Sequence, residues 1–161
     1  MIKLRITLES KQDVIREITI NSELNLEQLH QEIIKHFKLN EFEMASFYIA
    51  DANLDLGQEI PLFDTSEKGN ELITMDQIIV SSVLHSPESQ LIYVYDFLNM
   101  WRFHIQFVEE NEEIESGCFL SVGEMPKEAP EIKFEKEEQE KEFDPYGDAF
   151  DGFDEFNDYE Y

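Results

Sequence analysis

The stretch QLIYVYDFLNMWRFHIQF, residues 90–107, decides the fold. Leu91, Tyr93, Tyr95 and Phe97 share one face of a strand, and Trp101, Phe103, Ile105 and Phe107 share one face of the next. Alternation sustained over this length is the period of a strand with one buried face. Leu98–Met100 is short enough to be the connection of a hairpin. Aromatic pairs across such a hairpin each add ~0.2–1 kcal/mol over an alanine pair.

Working outward, the N-terminus repeats the pattern. Ile2, Leu4, Ile6 and Leu8 alternate with Lys3, Arg5, Thr7 and Glu9, and the turn Ser10–Asp13 leads into a second run, Val14–Ile20. These predict another hairpin. A helix follows: Asn25 is a capping residue, Leu24 and Leu29 make a hydrophobic staple, and Leu26, Leu29, Ile33 and Phe37 recur at helical spacing. Ser46–Ala50 reads as a third strand, and Ser116–Val122 as a further one. Thr74 and Gln77 form a capping-box pair that opens a short helix toward Leu84. Asp51–Asn70 reads as a long loop, an insertion or a functional segment. The order β-β-α-β-α-β-β predicts an α+β fold, a mainly antiparallel sheet with its helices on one side.

The 161 residues carry 12 Lys plus Arg against 37 Asp plus Glu, a formal charge of −25. Phosphate recognition runs on clustered cations, so neither direct nucleic-acid binding nor an anionic membrane surface is expected. No apolar run approaches the ~18 residues of a membrane span. Cys118, the one cysteine, excludes an intrachain disulfide and a cysteine-rich zinc site. Met1–Ser10 alternates charged with apolar residues where a signal peptide has an apolar core, so a cytoplasmic protein is expected. The oligomeric state is not legible.

The charge is unevenly placed. Residues 124–161 hold 15 acidic and 4 basic side chains, a net of −11, while residues 1–123 carry −14. Apolar periodicity ends near Val122, and Pro126 and Pro130 punctuate the exit. We therefore expect a folded domain at 1–123 and an acidic tail at 124–161, largely disordered when free. In that tail Phe143, Tyr146, Phe150, Phe153, Phe156 and Tyr159 are interleaved with Asp144, Asp148, Asp151, Asp154, Glu155 and Asp158. Solvated disordered segments are poor in aromatics. Rings at this spacing suit docking on a surface that is both basic and apolar. Asp144-Pro145 can start a helix, while Gly147 and Gly152 weaken one, so helical and extended bound forms stay open.

The candidate partner-binding residues are thus the six rings with Asp151, Asp154 and Glu155. The domain itself is net negative, so the attraction acts on another molecule. The expected partner is a basic protein or complex, associated with the ribosome, with transcription or with nucleic acid. A second reading is a nucleic-acid mimic that inhibits a DNA- or RNA-binding protein.

Leu29-His30-x-x-Ile33, Phe47-Tyr48 and Tyr93-x-Tyr95-Asp96-Phe97-x3-Trp101 resemble the Ri-plasmid (pRiA) ORF-three-like family, whose members are also called insertion-element passenger or TnpR-like proteins. The resemblance spans most of 1–110 and singles out His30, Tyr95, Asp96, Phe97 and Trp101. It implies an α+β, β-grasp-like domain, with no recombinase activity and no settled biochemical function. The family's motif runs Tyr-Asp-Phe-Gly-Asp-x-Trp-x-His, whereas Leu98, Asn99 and Phe103 occupy its Gly, second Asp and His positions here. His104 comes one place later, on the opposite face of a strand. The family's Cys-Pro-Pro-Glu-Asp-Cys segment has no counterpart after Gly117-Cys118.

With most of that polar cluster replaced, no catalytic residue, cofactor or metal is expected, and the chain reads as non-catalytic. Asp96 then closes a hairpin end beside Asn99. The competing reading is a divergent metal-dependent enzyme, in which His30, His104 and Asp96 meet as a ligand set. Asp51-x-Asn53-x-Asp55 resembles the opening of a calcium loop, but Gly57 falls at position 7 and Leu62 at position 12, where glycine at 6 and glutamate at 12 are needed. No Gly-x-Ser-x-Gly motif or phosphate-cradling loop is present.

Overall fold

Ile2–Leu8 (β1) pairs antiparallel with Ile15–Ile20 (β2), Ile2 facing Ile20 and Thr7 facing Ile15. This register places Ile2, Leu4 and Ile6 beside Ile20, Ile18 and Arg16 on one face. The computed structural model describes residues 1–130. The six C-terminal rings Phe143–Tyr159, with Asp151, Asp154 and Glu155, lie outside the described residues.

Leu26–Phe37 (α1) follows. Asn25 Oδ1 accepts from the Gln28 N–H at 2.9 Å, and Gln28 Oε1 accepts from the Asn25 N–H at 3.0 Å. This reciprocal cap satisfies two donors that the first turn leaves free. Leu26, Leu29, Ile33 and Phe37 are buried, as their spacing predicts. Lys38 ends the helix in a left-handed conformation, φ 55°.

Ala45–Ala50 (β3), Leu56–Pro61 (β4), Gln90–Tyr95 (β5), Trp101–Glu110 (β6) and Gly117–Val122 (β7) complete the sheet. Among the described residues it has seven strands in the order β4-β3-β5-β6-β1-β2-β7. Every pairing is antiparallel. The core lies between α1 and the face carrying Leu4, Ile6, Phe47, Leu91, Tyr93 and Phe103. Met75, Val80 and Leu84 join the same cluster, so the short helical turns sit on the α1 side. The opposite face carries Ile92 and Val94 with Ala50 and Tyr48, and Arg5 paired with Glu17 at 2.5 Å.

Two of the expected elements differ from what is found. Asp51–Asn70 contains β4, which is paired to β3 from Ser46↔Pro61 to Ala50↔Leu56. An edge strand is held by backbone hydrogen bonds and needs no apolar alternation, and only Ile60 and Pro61 of β4 are buried. Its Gly57 is required, since a Cβ there falls 2.9 Å from the Ile49 carbonyl oxygen.

The expected helix from Thr74 to Leu84 divides into a 3₁₀ turn, Met75–Gln77, and one α turn, Val80–Val83 (α2). Between them Ile78 and Ile79 are extended: Ile78 O accepts from the Leu26 N–H and Leu24 O from the Val80 N–H. Two β-branched residues favour this backbone-paired form over a continuous helix. Past residue 123, Met125 and Ala129 are partly buried against the core. Two apolar side chains among prolines and charges make no period to read.

Candidate functional site

The β5–β6 corner holds the most specific motif residues. Asp96 has φ 56°, a left-handed conformation that ends β5. Its Oδ1 accepts from the Leu98 and Asn99 N–H groups at 3.2 and 3.4 Å, and its Oδ2 accepts from Asn99 Nδ2 at 2.6 Å. The carboxylate thus closes its own turn. This break also turns Phe97 off the strand face expected for it; its side chain is 42% exposed. Tyr95 and Trp101 face each other across the hairpin and are buried, the Tyr95 hydroxyl donating to Asn40 O at 2.7 Å.

His30 projects from α1 onto the sheet, where its Nδ1 lies 2.6 Å from the Tyr93 hydroxyl. Both are buried, and Tyr93 packs against Phe47 and Phe103. Burial lowers the His30 pKa, which keeps the ring neutral, and raises that of Tyr93. His104 projects from the other face of β6 and bonds Gln90 Oε1 at 2.7 Å. Its pKa is lowered by burial, against an opposing pull from Glu9. The structure does not bring His30, His104 and Asp96 together, and among the described residues no group of three His, Cys, Asp or Glu is placed to hold a metal ion. Asp51 Oδ1 accepts from the Asn53 and Asp55 N–H groups at 2.8 and 3.0 Å, so the calcium-like stretch closes the β3–β4 turn.

Beside α1 runs a groove of about 750 Å³. His30 and Ile34 contribute from the helix, Phe42 from the loop before β3, and Leu62 and Phe63 from the segment after β4. Phe42 is 87% exposed and Phe63 is 58% exposed. Glu27, Glu41 and Lys35 supply its charges.

With this geometry in place, the family model described as plasmid pRiA4b ORF-3-like protein matches residues 1–132. The chain belongs to that family. No curated protein matches it. The fold of this ORF-3-like chain is similar to the crystal structure of MM3350, a protein of unknown function from Methanosarcina mazei Go1. The TM-score is 0.60 at 16% identity, over 74% of this chain and 68% of that one. Such a likeness speaks to fold alone.

Sequence reasoning missed two features of this ORF-3-like domain. Arg16, on the buried side of β2, donates to three carbonyl oxygens, those of His36, Ile15 and Val122. In sequence it reads as an ordinary polar member of a strand. The groove was also missed, because Phe42 and Phe63 belong to separate loops. Their one signal is an isolated ring in a polar segment, as in Glu41-Phe42-Glu43.

Proposed function

We propose that this chain is a non-catalytic cytoplasmic protein that binds a basic protein or complex, associated with the ribosome, transcription or nucleic acid, through its acidic-aromatic C-terminal residues. The observation that carries the reading is the spacing of Phe143, Tyr146, Phe150, Phe153, Phe156 and Tyr159 among Asp151, Asp154, Glu155 and their acidic neighbours. A net charge of −25 favours encounter with a cationic surface. The engagement of Asp96 by its own turn, of His30 by Tyr93 and of His104 by Gln90 supports a binding role over a catalytic one. In the same spirit we read the domain as β-grasp-like: a β1–β2 hairpin followed at once by a helix laid across the sheet.

Capture from cell lysate with the full chain and with a variant in which the six rings are serine tests this reading, since the variant keeps every charge. Basic proteins should be retained by the parent chain, lost by the variant and released as ionic strength approaches ~1 M, where screening acts within ~3 Å. Equal recovery by both chains overturns the reading.

A further inference from the structure

The groove beside α1 holds a hydrogen-bonding group with no described partner. The Tyr93 hydroxyl is deeply buried and His30 Nδ1 is its one described hydrogen-bond partner. A buried hydroxyl keeps its proton on an acceptor, so the hydroxyl donates and Nδ1 accepts. The neutral ring then carries its proton on Nε2, the tautomer being assigned by this bond. Nδ1 and Nε2 project from opposite sides of the ring. With Nδ1 turned inward to Tyr93, Nε2–H is the ring donor left for the groove that His30 lines. His30 is only 5% exposed, and the hydrogen bond described for its ring is the one through Nδ1. A fixed donor among the apolar side chains of a cleft selects for an acceptor such as a carbonyl oxygen.

The surroundings narrow the ligand further. Phe42 and Phe63 stand exposed on two different loops, and a third ring between them gains offset or edge-to-face contacts beyond its buried area. A volume of about 750 Å³ accommodates a few side chains of a peptide. Glu27 and Glu41 favour cationic flanks, whereas Lys35 has Glu32 at 3.9 Å. A second copy of a chain carrying −25 is repelled from the same place.

We propose that this groove binds a peptide segment of a partner protein in which an aromatic residue is flanked by Lys or Arg, its ring lying between Phe42 and Phe63 and a backbone carbonyl accepting from His30 Nε2–H. The site lies wholly in the folded domain. It shares with the preceding reading a basic partner, but draws that charge from Glu27 and Glu41.

The test uses the isotope-labelled full chain, titrated by NMR with acetyl-Lys-Phe-Lys-amide, acetyl-Glu-Phe-Glu-amide and acetyl-Lys-Ala-Lys-amide. The first peptide should give saturable shifts centred on the His30 imidazole, Ile34, Phe42 and Phe63. The other two should bind more weakly by about tenfold at least. Phe42→Ser and Phe63→Ser, at exposed positions that leave the core intact, should each reduce the shifts. Failure to saturate, shifts spread over the acidic surface, equal response to the alanine peptide, or indifference to both substitutions overturns the proposal. Because the probes do not involve the C-terminal rings, such a result leaves the lysate experiment to stand or fall by itself.

Discussion

The guanidinium of Arg16 donates to the carbonyl oxygen of Val122 at 2.8 Å, joining the core side of β2 to the last residue of β7. The same group donates to His36 O at 3.2 Å near the C-terminus of α1 and lies 5.0 Å from the centre of the Phe37 ring. A cation is favoured there by the helix's unpaired carbonyls and by the ring face. One side chain thereby ties a helix end to two strands.

Replacing it should loosen all three. Arg16→Leu leaves carbonyl oxygens without their charged donor, and we expect a loss of about 2–3 kcal/mol. Arg16→Lys should recover only part, since a point charge does not reproduce the planar fork. Chemical denaturation checks the magnitude, and faster amide exchange in β7 checks the location.

His30 makes stability depend on pH. Burial lowers its folded-state pKa below the ordinary 6.5, so the unfolded chain binds the proton more readily. Its contribution is therefore complete above about pH 6.5 and is lost as the pH falls from there toward the lower folded value. The stability difference between the parent chain and His30→Gln should narrow on acidification across that window. An imidazole titration midpoint at or above 6.5 contradicts this.

Asp96 serves its own turn, accepting from two backbone N–H groups and the Asn99 amide. Asp96→Ala removes those acceptors and places alanine at φ 56°; we expect a cost of about 1–3 kcal/mol. Asp96→Asn should cost less, because it keeps an acceptor and tolerates the left-handed conformation. Comparing the two by thermal unfolding separates these roles.

Gly123 and Gly69 form a matched pair. Both have positive φ, +69° and +100°, but a Cβ at Gly123 collides with the Asp13 carbonyl oxygen, whereas one at Gly69 meets nothing within 4 Å. Gly69→Ala should cost only the conformational term, about 1–2 kcal/mol. Gly123→Ala adds a backbone clash and should cost clearly more, with β7 displaced from β2. Equal losses in the two variants contradict this.

Much of the architecture was legible because its causes are local. Alternation at Ile2–Leu8 and across residues 90–107, the Asn25–Gln28 cap and the spacing from Leu26 to Phe37 each express a backbone geometry within a few residues. The most specific part of the family motif, Tyr95-Asp96-Phe97-x3-Trp101, likewise lay in one short stretch. The site was less legible. Asp96 closing its turn followed from its neighbour Asn99, but the partners of His30 and His104 did not, since a side chain's spacing does not say what faces it.

By itself, then, the sequence determined which segments alternate, where the long helix begins and that the chain is strongly acidic. Tertiary structure decided the rest. Backbone hydrogen bonds, blind to side-chain period, recruited Leu56–Pro61 to the sheet edge and set β1 between β2 and β6. Packing of α1 on that sheet brought His30 to Tyr93 and set Phe42 and Phe63 beside one groove. Contacts between residues far apart in the chain depend on the global arrangement, and no local pattern encodes them.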